Sequence, residues 1–311
     1  MYNKTIVAWF VMALSLLLSF GNARAVEDTL YRPFILASKG PGDMAGKIEE
    51  VKAALSKDFE IAGEYSPYEN AHVIAVTNAE LRRAAAGSEH GGYAAAQRVS
   101  LTKVGADIQV AYTNPVYMAH AYRLNDSLEG AAQKLEAALG RMQDFGASGL
   151  TAKALRGYHY TFGMEYFTDP YQLVDYGSYE QAVAAVEKAL AEHKGGATKV
   201  YRIDIPGKQE TVFGVGLRAG PDGDKYMDDQ FIMSVIDFKD LRQTAHLPYE
   251  ILVSGRRVYA LHARFRIAIN FPDLKMMGER SFMKIMPTPD ALGKALTVSA
   301  GGKPATSGFS F

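Results

Sequence analysis

The sequence predicts an α+β protein made of two tandem units, and two observations support this prediction. Runs of strand-forming residues alternate with segments of helical period along the 311-residue chain. The order strand, helix, four strands with a helical excursion, and final helix occurs twice, over residues 26–148 and 149–300. A duplicated β-α-β4-α unit that forms one pseudo-symmetric body accounts for both observations.

The first unit contains a hairpin as its best-defined element. QRVSLTKV and ADIQVAYT flank Gly105, which favours a tight turn between two strands. Asn114-Pro115 ends the second strand, because proline cannot donate a hydrogen bond to the ladder. The predicted elements are a strand at 29–37, a helix at 48–55, strands at 58–65 and 71–77, an alanine-rich stretch at 78–86, the hairpin at 97–113 and a helix at 128–139.

The second unit repeats this order after a seam near residues 146–149. Ser178 precedes apolar residues at helical spacing and is the expected helix cap. We expect Asn270-Phe271-Pro272 to end the last strand as Asn114-Pro115 does. The predicted elements are a strand at 158–166, a helix at 179–190, strands at 199–205 and 211–217, a short helix at 237–247, strands at 248–253 and 257–269, a helix at 290–296 and a flexible tail at 301–311.

The N-terminal residues have the pattern of a signal peptide. Lys4 precedes an apolar run at 6–20, and Ala23-Arg24-Ala25 has the small-x-small pattern of a cleavage site. The run is shorter than the roughly twenty residues that a spanning helix needs. We therefore expect residues 1–25 to be a signal peptide, the protein to be periplasmic or secreted, and no stable membrane insertion.

Charge and cysteine content exclude several classes of function. Without Lys4 and Arg24 the 34 basic residues fall to 32 against 34 acidic residues, so the mature charge is 32 − 34 = −2. This balance provides no basic surface for nucleic acid. The chain has no cysteine, which excludes disulfides, a thiolate nucleophile and cysteine-ligated clusters. Nucleophile-elbow, zinc-protease and phosphate-loop motifs are also absent, so we favour a non-enzymatic function and assign no catalytic residues.

One stretch of the first unit resembles a known family. The run QRVSLTKVGADIQVAYTNPVYMAHAYRLND, preceded by a helix that carries EEVKAAL, resembles the family catalogued as domain of unknown function 302. Tyr112, Asn114, Pro115 and Tyr117 match the strand-ending pattern of that family. The resemblance covers residues 29–140 and is fainter in the second unit. It implies a β-α-β4-α fold related to the TATA-binding-protein saddle, and it brings no catalytic residues or cofactor.

The aromatic stretch RGYHYTFGMEYFTDPY (156–171) raises the question of a binding site. As a strand it would place His159 and Glu165 on the open face of the sheet, opposite the face that helices cover. Near the corresponding strand of the first unit lie Tyr112, Tyr117 and His120. We predict that these five side chains form a ligand-binding surface for an apolar small molecule, a protein partner or a second copy of the chain. The alternative is that the stretch is an aromatic core strand.

Metal handling is the alternative function. Four methionines fall within eleven residues, and thioether sulfur selects copper(I). Their irregular spacing suits packing in a core or loop equally well. No two of the seven histidines have the spacing of a ligand pair. The candidate metal ligands are Met118, His120, Met276, Met277, Met283 and Met286. The identity of any cofactor is left open by the sequence.

Overall fold

The computed structural model describes residues 29–303. Over this range nine α-helices and two antiparallel sheets form an α+β fold, which confirms the predicted class. The predicted signal peptide at 1–25 and residues 304–311 of the predicted tail lie outside the described residues. No helix between residues 29 and 303 combines the length and the apolar character that crossing a bilayer requires.

The first sheet and its helices occupy the N-terminal half of the described chain. Its strands are β1 (Phe34–Pro41), β2 (Glu60–Tyr65), β3 (Ala71–Thr77), β4 (Gln97–Val104), β5 (Asp107–Thr113) and β6 (Gln143–Phe145). Its helices are α1 (Met44–Leu55), α2 (Ala79–Ala86), α3 (Pro115–Ala121), α4 (Glu129–Leu139) and α5 (Ala152–Arg156). The spatial order is β2-β3-β4-β5-β1-β6. The predicted hairpin is confirmed as β4–β5, with Gly105 at a φ of 62° in its turn.

The second sheet repeats the strand order of the first. Its strands are β7 (Tyr171–Asp175), β8 (Ala197–Asp204), β9 (Glu210–Leu217), β10 (Tyr249–Ser254) and β11 (Arg257–Ala260). Its helices are α6 (Tyr179–Ala191), α7 (Asp229–Ile236), α8 (Ala263–Asn270) and α9 (Thr288–Ser299). In both sheets the first strand lies beside the fifth, and the other strands follow in chain order. The strand β6 adds to the free side of β1 in the first sheet only.

The aromatic stretch is not a strand, so the prediction for residues 158–166 is wrong. Bends and turns occupy this stretch, and the first strand of the second sheet is β7, five residues later. Gly163 has a φ of 78°, a left-handed conformation that interrupts an extended chain. Tyr158 and Tyr160 use their hydroxyls to reach backbone carbonyls around the end of α8. The alternating tyrosines therefore fix a loop through their hydroxyl groups and do not belong to a hydrogen-bonded β-strand.

Two helices lie where the sequence predicted other elements. The predicted strand 257–269 ends at Ala260, and the helix α8 follows it. Almost every residue of α8 is buried, so its hydrophobic pattern could not distinguish a helix from a strand. The motif Asn270-Phe271-Pro272 accordingly ends a helix and not a strand. The predicted helix at 237–247 is also wrong, because the helical excursion is α7, which Asp228 caps by accepting from the Phe231 backbone N–H.

Helices cover the outer face of each sheet, and the two inner faces are enclosed between the units. Val99 of β4 packs with helix residues such as Leu135 of α4, while Phe213 of β9 packs with Leu292 of α9. The opposite face of β4 carries Arg98 and Thr102, whose hydrogen-bond partners lie between residues 244 and 250 of the second unit. At one side β2 contacts β8 closely. The open sheet faces expected from the sequence are therefore covered.

Candidate functional site

The aromatic stretch and the methionine-rich segment, far apart in sequence, meet beside α8. They enclose a hollow with about 10 Å³ of free volume, which we call the aromatic–methionine hollow. Its lining side chains include Tyr160, Met164, Arg264, Phe271, Leu274 and Phe282. The Tyr160 hydroxyl donates to the Leu274 carbonyl at 2.9 Å, two residues before the methionine-rich segment (276–286), of which Phe282 lines the hollow. The sequence singled out both segments, but no periodicity in either could show that they are neighbours.

The two segments beside the hollow expose large apolar side chains to solvent. Phe162 is 98% exposed at the turn that Gly163 makes, and no atom would contact a Cβ on that glycine. Met277 is 77% exposed, and Met283 and Met286 are each about half exposed. Three of the four clustered methionines are therefore surface residues, although their spacing suited core packing equally well. A hydrogen bond from the Met283 N–H to the Met276 carbonyl, at 3.1 Å, brings the two ends of this segment together.

Glu165, a predicted site residue, lies between His262 and Arg264 at the start of α8. Its Oε1 accepts a hydrogen bond from Arg264 at 3.2 Å, whereas its Oε2 lies 3.3 Å from His262 Nδ1. That nitrogen already accepts the Arg264 backbone N–H as the cap of α8, so it carries no proton to share. Burial, followed by the Arg264 charge, lowers the pKa of His262 to about 4, and the ring is neutral at pH 7. Glu165 Oε2 is therefore a buried oxygen without a hydrogen-bond partner in residues 29–303.

The other predicted ligand-binding residues lie apart from Glu165. His159 stacks its ring 4.5 Å from the Tyr166 ring and contacts the Thr161 carbonyl through Nδ1 at 2.9 Å. His120 on α3 is half-buried against Tyr31, and burial lowers its pKa. Its buried Nδ1 has no hydrogen-bond partner in the part of the chain that the structure describes. No hydrogen bond, ion pair or ring contact between described residues joins His120 to His159 or Glu165.

Tyr112 and Tyr117 cannot contribute to a surface, so this part of the predicted site is wrong. Both rings are fully buried. Tyr112 is paired with Val99 across β4 and β5, which places it on the face that helices cover, and its hydroxyl donates to the Gly140 carbonyl. Tyr117 donates to the Ile269 carbonyl at 2.7 Å and so links α3 to the end of α8. The strand-ending motif thus serves packing between the units.

The candidate metal ligands are also divided between two places. Met118 is 1% exposed and belongs to the core beneath the first sheet, while three of the four clustered methionines are exposed on the methionine-rich segment. Between residues 29 and 303, no group of three or more histidine, aspartate or glutamate side chains is arranged to hold a metal ion. Any soft-metal site would therefore depend on the sulfur atoms at the rim of the hollow.

Sequence inspection missed a buried ionic network at the junction of the units. Glu250 on β10 forms ion pairs with Arg98 on β4 and with Arg266 on α8, and each of these side chains is 2% exposed or less. Arg266 also contacts His246 Nε2 at 2.9 Å and stacks its guanidinium 4.3 Å from the Tyr249 ring centre. Burial and the Arg266 charge hold the pKa of His246 well below its usual range. Because these groups are enclosed, the network joins the two units and cannot receive a substrate.

Comparison with known proteins identifies no relative of this chain. No protein-family model matches it, and searches of curated proteins and of solved structures return no match.

Proposed function

We propose that the protein is an exported, non-enzymatic assembly protein that binds an apolar segment of a protein partner at the aromatic–methionine hollow. One observation carries the proposal. Seven large hydrophobic side chains are exposed in the described range, and five of them lie in the two segments that flank the hollow. These five are Phe162, Tyr166, Met277, Met283 and Met286. Clustered exposed apolar side chains are the usual mark of an interaction surface, and methionine adapts well to a partner's shape.

The size of the hollow favours a protein partner over a small molecule. Pockets that enclose a drug-sized ligand measure roughly 300–1,000 Å³, whereas the free volume of this hollow is about 10 Å³. The hollow is therefore too small to enclose a ligand, and a partner would contact the exposed side chains of the two segments, Phe162 among them. Aromatic and methionine side chains are enriched at such contacts.

The proposal includes an origin by internal duplication and an extracytoplasmic location. The identical strand order of the two sheets supports two tandem β-α-β4-α units at 26–148 and 149–300, each similar to the TATA-binding-protein saddle. The resemblance of residues 29–140 to the family of domain of unknown function 302 accords with this order. The signal-peptide pattern of residues 1–25 supports a periplasmic or secreted protein.

A site-specific photo-crosslinker tests the proposed surface in the native host. We expect a crosslinker at position 162 to give one protein adduct, and the same crosslinker at the exposed control position Met142 to give none. Phe162→Ser should abolish the association with that protein, whereas Met142→Ser should leave it intact. Native mass spectrometry of the isolated protein then measures the partner's mass directly. Equal adduct yields at the two positions would refute the proposal.

Copper(I) handling is the second candidate, and the exposure of the methionines favours it over a pure packing role. Thioether sulfur at Met277, Met283 and Met286 is accessible to a soft cation in a chain without cysteine. A competition titration with a copper(I) chelator should show one tightly held ion in the wild-type protein. The ion should be lost in Met283→Ser/Met286→Ser and retained in Met142→Ser. Failure of the wild-type protein to compete with the chelator eliminates this candidate without affecting the first.

A further inference from the structure

A second concave region lies on the rim of the junction between the units, away from the hollow. It is bounded by the turn of the β4–β5 hairpin and residues 68–70 on one side, and by α7 and residues 237–242 on the other. It has about 520 Å³ of free volume and is the region we call the inter-unit groove. This volume suits a small organic ligand, for which pockets of roughly 300–1,000 Å³ are typical.

The groove carries three cationic side chains, of which Arg242 also acts electrostatically on the Asp237 carboxylate. Lys103, Arg242 and Arg280 line it, and none of them forms an ion pair within residues 29–303. Two carboxyl groups face them. Glu69 is exposed and unpaired, and Asp237 is 6% exposed, which raises its pKa to about 6. With both carboxylates ionised the lining still has three positive charges against two negative ones, so its field favours an anion.

The hydrogen bonds that hold Arg242 leave two of its guanidinium nitrogens, Nε and Nη2, free to donate. Its backbone N–H donates to Gln109 Oε1 at 2.9 Å, and its Nη1 donates to the Asp237 carbonyl at the end of α7. Its Nε and Nη2 have no acceptor among the described residues. These two groups form the edge of a guanidinium that binds a carboxylate or phosphate through two parallel hydrogen bonds.

Arg280 and the floor of the groove complete the arrangement. The Arg280 guanidinium lies 5.0 Å from the Phe238 ring centre, which positions the charge without neutralising it. Below it, the hydroxyls of Tyr68 and Thr102 both bond to the Thr244 hydroxyl, so the floor is polar but internally satisfied. The charged hydrogen-bond donors available to a ligand are therefore those of the cations, while Phe238 offers apolar surface to its organic part.

We propose that the inter-unit groove is a binding site for a small organic oxyanion, a carboxylate or phosphate ester, which Arg242 and Arg280 hold from two sides. The groove and the aromatic–methionine hollow share no lining residue, although Arg280 belongs to the methionine-rich segment beside the hollow. Because it is formed by residues from both units, an occupied groove also joins them, and ligand binding stabilises the junction.

Isothermal titration calorimetry of the purified protein at low ionic strength tests this site with three probes: inorganic phosphate, citrate and phenyl phosphate. We expect saturable binding that weakens as salt is added, and comparison of citrate with phenyl phosphate distinguishes the carboxylate from the phosphate. Arg280→Gln should weaken binding about tenfold, since it removes a charge-assisted hydrogen bond, and Arg242→Gln should do the same.

The controls separate a specific site from a general charge effect. Arg83 on α2 is exposed, forms no ion pair within residues 29–303 and lies outside the groove, so Arg83→Gln should bind like the wild type. The Arg280 guanidinium lies over the Phe238 ring and has no hydrogen bond or ion pair within residues 29–303, so Arg280→Gln is expected to fold normally even where Arg242→Gln loses stability. The proposal is overturned by the absence of saturable binding with all three probes, or by equal affinities of Arg280→Gln and Arg83→Gln.

Discussion

Replacement of Glu250 by glutamine should weaken the whole protein more than any surface charge change. Glu250 accepts Arg98 on one carboxylate oxygen and Arg266 on the other, and Tyr201 adds a hydrogen bond at 3.4 Å. The substitution conserves shape and removes only the negative charge. It leaves two buried guanidinium groups facing each other across a neutral amide, in a space that water does not reach.

The structure sets the size of the effect. Removal of one partner from a buried ion pair costs about 3–5 kcal/mol, because the remaining charge is neither solvated nor neutralised. Total stabilities are about 5–15 kcal/mol, so Glu250→Gln should remove about a fifth or more of the free energy of unfolding. The matched control is Glu187→Gln, which breaks ion pairs with Lys199 and Arg202 at 2.7 and 3.2 Å whose side chains are a quarter to nearly half exposed. An exposed pair contributes about 0–1 kcal/mol.

Urea denaturation followed by far-ultraviolet circular dichroism measures both variants. This probe is suitable because the chain's single tryptophan, Trp9, lies in the predicted signal peptide and outside the described residues. We expect one cooperative transition in the wild-type protein, since the network links the units, and a much lower midpoint for Glu250→Gln than for Glu187→Gln. Equal midpoints for the two variants would show that the network does not hold the units together, and the reasoning would then fail.

Two further predictions concern stability. Asp229 is fully buried, and burial raises its pKa from 3.8 to about 7, so between these pH values the folded state holds a proton that the unfolded state has released. The contribution of Asp229 to the free energy of unfolding therefore becomes less favourable, by about 4 kcal/mol, as pH rises from 4 to 7. Asp229→Asn should remove this pH dependence from urea midpoints measured across the same range. An unchanged pH profile in the variant contradicts the assignment to Asp229. A Cβ at Gly63 would lie 1.9 Å from the Val200 carbonyl oxygen, whereas one at Gly40 meets nothing within 4 Å. Gly63→Ala should therefore lower the thermal midpoint by several degrees and Gly40→Ala should leave it nearly unchanged; similar midpoints would mean that β2 and β8 are not in close contact.

Local chemistry explains why part of the fold could be predicted. The β4–β5 hairpin has strand-forming residues on both sides of Gly105, and its turn needs the positive φ that glycine adopts easily. The helix α6 begins after Ser178, whose hydroxyl accepts the Gln181 backbone N–H as the capping pattern predicts. In both cases the interactions that define the element involve residues only a few positions apart, so the local sequence pattern is enough to predict the element.

Tertiary contacts explain the failures. The aromatic stretch alternates like a strand, but its tyrosine hydroxyls bond to carbonyls more than a hundred residues away. The helix α8 is enclosed on nearly every side, which erases the amphipathic period. Arg98 and Glu250 are polar residues in strands, a position that normally indicates a solvent face. Arg98 and Glu250 become buried only because the two units pack together, and this packing cannot be predicted from the sequence of either strand alone.

The covered sheet faces restrict where this protein can bind anything. A subunit interface through the inner faces, which the sequence made plausible, would require Arg98 to separate from Glu250 and Arg266 to lose its counter-charge. That separation exposes or orphans three buried charges, at a cost comparable to the stability of a whole domain. The inner faces of the two sheets therefore cover each other, and a ligand or partner must bind at the margins of these faces. The aromatic–methionine hollow beside α8 and the inter-unit groove are two such margins, one apolar and one cationic. Their different chemistry predicts that Phe162→Ser will abolish the partner association and spare oxyanion binding, whereas Arg242→Gln will weaken oxyanion binding about tenfold and spare the partner association.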